Sequence, residues 1–192
     1  MNRITSLPRM RATLLVAAAV CVLVALGVLA RSGIVGATGE TAVVFVPEGD
    51  VRAGELITVR IEARNVSDLA GFQGTVRYDQ SDLRLTGATV GQDLGRSGRG
   101  ILPLGPVMSD GAVALGAATC PVVDCAGLLN GTERVERGLN GRVQLGVLEF
   151  YSNAAGSYTL TLDGVQLVDP QGTKLAVSTA PFVLEVRPAD AQ

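Results

Sequence analysis

The stretch Leu69-Ala70-Gly71-Phe72-Gln73-Gly74-Thr75-Val76-Arg77-Tyr78-Asp79-Gln80-Ser81-Asp82-Leu83 decides the fold class of this chain. Phe72, Val76 and Tyr78 fall on one side of the alternation. Gln73, Thr75 and Arg77 fall on the other. A period of two with one apolar side predicts a half-buried β-strand. The Asp79–Asp82 segment that follows predicts a tight turn, because Asp side chains accept hydrogen bonds from backbone two residues on.

The same pattern recurs outward from that strand. Thr58-Val59-Arg60-Ile61-Glu62-Ala63-Arg64 turns Val59, Ile61 and Ala63 inward and the polar residues outward. Further strands are predicted over 42–47, 83–90, 101–108, 112–118, 142–151, 157–168, 174–177 and 182–187. Ser109-Asp110-Gly111 joins two of them as a hairpin. Asp169-Pro170-Gln171-Gly172 is a turn, with Pro fixing one φ and Gly supplying a positive one. Short alternating runs between turn signals, with no long helix after Ala37, predict an all-β sandwich or jelly roll over 41–187. Residues 188–192 form a tail. Gly91–Gly100, rich in Gly, Arg and Ser, reads as a flexible turn. Leu128–Leu139, with Glu133, Arg134, Glu136 and Arg137, reads as a solvated loop rather than an exposed helical turn.

The first 37 residues differ in kind. Arg3, Arg9 and Arg11 precede an uncharged run from Thr13 to Ala30, and Arg31 closes it. Positive charge ahead of such a run is an export pattern. The run is long for a signal peptide and just long enough to span a bilayer. Val35-Gly36-Ala37 fits cleavage after Ala37, so a cleaved signal and a retained membrane anchor both stay open. Cys21 lies inside the run and reads as a small membrane hydrophobe. Export predicts a protein that is extracellular or held at the cell surface. In that setting Cys120-Pro-Val-Val-Asp-Cys125 predicts a disulfide clamping one loop.

Composition narrows the chemistry. The 192 residues hold no His and no Trp, with four Phe, three Tyr and 24 Gly. Without His there is no Ser-His-Asp or Cys-His catalysis and no His-ligated zinc. Asp79 and Asp82 are close in sequence but belong to a turn, so no acid pair for glycoside hydrolysis stands out. Gly91–Gly100 lacks the Gly-Lys-Ser/Thr end of a phosphate loop. Asp163, Asp169 and Gln171 read as turn residues rather than calcium ligands. The net charge of −2, with no basic stripe, gives no reason to expect nucleic acid. Asn65-Val66-Ser67 and Asn130-Gly131-Thr132 fit the glycosylation sequon, a pattern short enough to arise by chance.

Several pieces together resemble cohesin modules. The strand entered at Gly54 and left at Asn65 is similar to the second strand of that family. Leu69–Leu83 resembles its third strand, with small residues leading into alternating apolar positions and then Tyr78-Asp79-x-x-x-Leu83. Gly141-Arg142-Val143-Gln144-Leu145-Gly146-Val147-Leu148-Glu149-Phe150 resembles a late strand. Gly156-Ser157-Tyr158-Thr159-Leu160-Thr161-Leu162, with Asp169-x-x-Gly172 after it, resembles the next strand and turn. The resemblance covers about 41–187. It implies a nine-stranded jelly-roll sandwich that is not an enzyme, needs no cofactor, and binds dockerins or another surface protein across one sheet face. In cellulosomal type I members an Asn-x-Asp pair on the third strand meets the dockerin. Those positions here are Gly71 and Gln73, and with Thr75 and Arg77 they are the expected partner-binding residues. The alternative is a carbohydrate-binding module that recognises polysaccharide through the same polar face. Sugar stacking would lack Trp, and alternation sends Phe72, Tyr78, Phe150 and Tyr158 inward.

Overall fold

The computed structural model describes residues 39–121 and 136–190. The expected export segment, Cys21, Asn130, Cys125 and most of the charged Leu128–Leu139 stretch lie outside them.

Eleven strands make up the described chain. They are β1 (Ala42–Glu48), β2 (Leu56–Leu69), β3 (Gly71–Tyr78), β4 (Leu83–Val90), β5 (Gly100–Ser109), β6 (Ala112–Cys120), β7 (Leu139–Ser152), β8 (Gly156–Val168), β9 (Lys174–Leu175), β10 (Ser178–Thr179) and β11 (Phe182–Val186). Nine have five residues or more, as expected of the jelly roll. β9 and β10 are two-residue pieces, and β10 has no counterpart in the sequence reading. One sheet has the order β10-β1-β2-β7-β4 and the other β11-β8-β3-β6-β5, with β9 beside β8. β3 and β4 are consecutive yet lie in different sheets. The turn between them changes layer, held by Asp79 Oδ1 accepting from the Ser81 N–H at 2.9 Å.

Alternation builds the core between the layers. Val59, Ile61 and Ala63 of β2 are buried, as are Phe72 and Val76 of β3. They meet Leu148 and Phe150 of β7, Leu160 of β8 and Leu184 of β11 in one apolar cluster. Tyr78 packs edge-on against Phe150, with ring centroids 5.3 Å apart and planes at 73°. Such aromatic pairs add about 0.5–1.5 kcal/mol beyond area burial. Tyr158 is buried too, and its hydroxyl lies 3.0 Å from Ser152 Oγ. The expected inward placement of the four aromatics therefore holds, with Tyr78 partly exposed at the end of its strand.

Two segments differ from expectation. β2 runs on past Arg64 to Leu69, because bulges absorb the irregularity. Asn65 and Asp68 take positive φ of 54° and 59° there. Asp68 Oδ1 accepts from the Gly138 N–H at 2.6 Å, pinning the bulge to the chain before β7. The Gly91–Gly100 segment is not a free turn. It folds into a 3-10 turn over Asp93–Ser97 whose Leu94 is buried in the core. Asp93 Oδ2 accepts from the Gln144 N–H at 2.8 Å. A buried Leu and an anchored Asp outweigh the local freedom that the glycines suggest.

Candidate binding face

β3 lies at the centre of its sheet, between β8 and β6. Its outward residues form rows with their neighbours across the sheet. Gln73 is in register with Gln166 of β8 and Gly116 of β6, and Gly116 with Leu104 of β5. Thr75 is in register with Asp163 and Ala114, and Ala114 with Val107. Arg77 forms an ion pair with Asp163 one row away. Both side chains of that pair are at least half exposed, which places its stabilising effect at about 0–1 kcal/mol.

The expected site residues are thus neighbours but not equivalent. Gln73 and Arg77 are exposed and Thr75 is half-buried. Gly71 is buried. A Cβ there would stand 2.9 Å from Val168 Cγ2 and 3.2 Å from the Ala117 carbonyl oxygen, so only the absence of a side chain permits that packing.

β5, the edge strand, adds a feature that the sequence reading did not assign. Leu102, Leu104 and Val107 are large apolar residues left 47–65% exposed. An apolar run in sequence suggests burial, but an edge strand has a neighbour on only one side. Pro103 and Pro106 signal that edge, since proline has no N–H to donate and is tolerated where no partner strand needs one. Between the β5 row and β3 runs a trough floored by Ala114, Gly116 and Ala118. Gly116 makes it possible: a Cβ there would stand 3.3 Å from Gln73 Cβ and 3.4 Å from Leu104 Cβ. Two depressions of about 260 and 150 Å³ open along the trough, and Gln73 and Leu104 border both. The face offers a polar stripe, an apolar stripe and a groove between them. That combination suits a protein surface with a few apolar knobs and a polar rim.

Solved structures settle what this architecture is. A non-cellulosomal cohesin from the archaeon Archaeoglobus fulgidus superposes with a TM-score of 0.52 at 16% identity, over 79% of this chain and 91% of that one. The fold is that of a cohesin module. The cohesin module of a Clostridium perfringens family 33 glycoside hydrolase superposes with a TM-score of 0.57 at 10% identity, over 79% of this chain and all of that one. A type I cohesin–dockerin complex from Clostridium thermocellum, Coh-OlpA with Doc918, gives a TM-score of 0.54 at 14% identity, over 77% and 99% of the two chains. At these identities the likeness is one of fold. No protein-family model and no curated protein matches the sequence.

No helix among the described residues is long and apolar enough to cross a membrane. No cluster of three or more Cys, Asp or Glu among them could hold a metal ion.

Proposed function

We propose that this chain is a non-catalytic docking module at the cell surface, which binds a dockerin-like protein through the outward face of β8, β3, β6 and β5. The observation that carries this reading is the exposed Leu102, Leu104 and Val107 row beside the polar Gln73–Arg77 stripe, on a sandwich of cohesin fold. Exposed apolar groups in a contiguous row mark interaction surfaces more often than scattered ones do. Structural neighbours include cohesins in complex with dockerins, among them one from Acetivibrio cellulolyticus bound to the Cel5 dockerin. On the sequence resemblance, Gly71 and Gln73 take the positions of the Asn-x-Asp pair of type I cohesins. The partner would therefore be held by apolar contact at Leu104 and by charge at Arg77 more than by that hydrogen-bonding pair. Extracellular placement rests on the N-terminal export pattern, and any role in polysaccharide degradation would come through the partner.

Polysaccharide binding on this same face is the weaker reading. None of the outward rows from β8 to β5 contains an aromatic residue on which a sugar ring could stack. The test is a capture of secreted proteins by the full-length chain, compared with the Leu104→Asp variant. Retention of the same proteins by both would remove the face from consideration.

A further inference from the structure

A second concavity lies away from the docking face, where the β3–β4 turn, the β5–β6 hairpin and the end of β7 meet. It is a cleft of about 740 Å³, within the size range of small-ligand sites. Its walls include Tyr78, Gln80, Asp82, Arg84, Asp110, Tyr151 and Asn153. The polar side chains of Gln80, Asp82, Arg84, Asp110 and Asn153 make no hydrogen bond or ion pair to any described residue. For the guanidinium this stands out among the described arginines. Seven other arginines, including Arg52, Arg60, Arg77 and Arg142, are paired with carboxylates. Arg84 has Asp82 two residues away, yet its guanidinium stands over the Tyr151 ring, 5.9 Å from the centroid. Its donors remain available.

We infer that this cleft is a binding site for a neutral oligosaccharide. The argument is one of complementarity. A sugar presents an apolar ring face and a rim of hydroxyls that both donate and accept. The cleft supplies two phenol rings with an apolar body and a polar tip. It supplies donors in Arg84, Gln80 and Asn153, and carboxylate acceptors in Asp82 and Asp110. A purely apolar ligand would leave those groups unpaired at high cost. An anionic ligand would meet two carboxylates against one guanidinium. The site is independent of the docking face, so either can fail without the other.

The experiment is calorimetric titration of the full-length chain with cellohexaose, xylohexaose, mannohexaose and laminarihexaose, each to millimolar concentration. At least one should bind saturably. Tyr151→Ala should weaken that binding about tenfold or more, as for loss of a central aromatic contact. Arg84→Ala and Asn153→Ala, both at exposed positions, decide the matter should Tyr151→Ala fail to fold. Arg77→Glu, on the docking face, should bind the sugar as the parent does. No heat from any of the four sugars overturns the inference. So does unchanged affinity in the cleft variants, a loss confined to Arg77→Glu, or tighter binding of hexagalacturonate than of every neutral sugar.

Discussion

Gln73 of β3 and Leu104 of β5 flank the same glycine, Gly116 of β6, in one row across the sheet. The trough between the polar and apolar stripes exists because Gly116 has no side chain. A Cβ at that position would also stand 3.0 Å from the Phe72 carbonyl oxygen, which is backbone and gives way poorly. Gly116→Ala should therefore cost about 1–3 kcal/mol, the range for overpacking a fitted site. Urea denaturation measures it. An unchanged midpoint would mean that the sheet relaxes freely there.

The two sides of β3 should respond in opposite ways. Phe72 is buried in the main cluster, so Phe72→Ala should destabilise the domain by about 3–5 kcal/mol. Arg77 is exposed and its ion pair with Asp163 is solvated, so Arg77→Glu should shift stability by about 1 kcal/mol or less. Thermal melts of both variants check the assignment of faces.

Tyr78 gives a pH signature. Burial first, and then the nearby Asp110 carboxylate, raise its phenol pKa above the ordinary tyrosine value. The folded state thus holds this proton more tightly than the unfolded chain does. Its contribution is fully present below about pH 10, the unfolded value, and is lost as pH rises through the higher folded value. Stability should fall on that alkaline limb, and the part due to this group should vanish in Tyr78→Phe. Spectrophotometric titration should show one phenol ionising later in the wild type than in the unfolded chain.

Cys120 ends β6, and Cys125 follows outside the described residues. A bond between them remains the expectation from the export pattern. Thiol labelling of oxidised, denatured protein should modify neither residue. Labelling at both would contradict it. The loop is short, so reducing the bond should cost no more than the low end of the usual ~2–4 kcal/mol.

The parts of the molecule governed by local period were legible in the sequence. Phe72, Val76 and the Val59-Ile61-Ala63 set announce their faces because two-residue alternation and burial coincide there. The end of β2 was not legible, since bulges at Asn65 and Asp68 break the period that reveals a strand. Ser178–Thr179 is too short to have a period at all. Leu94 shows how one buried side chain can order a glycine-rich segment that composition marks as free. The site divides in the same way. Gln73, Thr75 and Arg77 follow from alternation within one strand. The exposure of Leu104 depends on β5 being an edge, a fact of sheet order that only Pro103 and Pro106 hint at. The cleft around Arg84 and Tyr151 is assembled from separate turns, and no sequence spacing joins them.

The central claim is that the outward face of β8, β3, β6 and β5 docks a protein partner. The most direct measurement is the dissociation constant of a captured partner for the wild type, Arg77→Glu, Leu104→Asp and Thr89→Glu, the last being exposed on the opposite sheet. All four proteins should melt at similar temperatures, because exposed substitutions change stability by about 0.5–1 kcal/mol or less. The account predicts that Leu104→Asp and Arg77→Glu each weaken binding about tenfold or more while Thr89→Glu leaves it unchanged. Equal affinity for the wild type and both face variants, or a loss confined to Thr89→Glu, would contradict it.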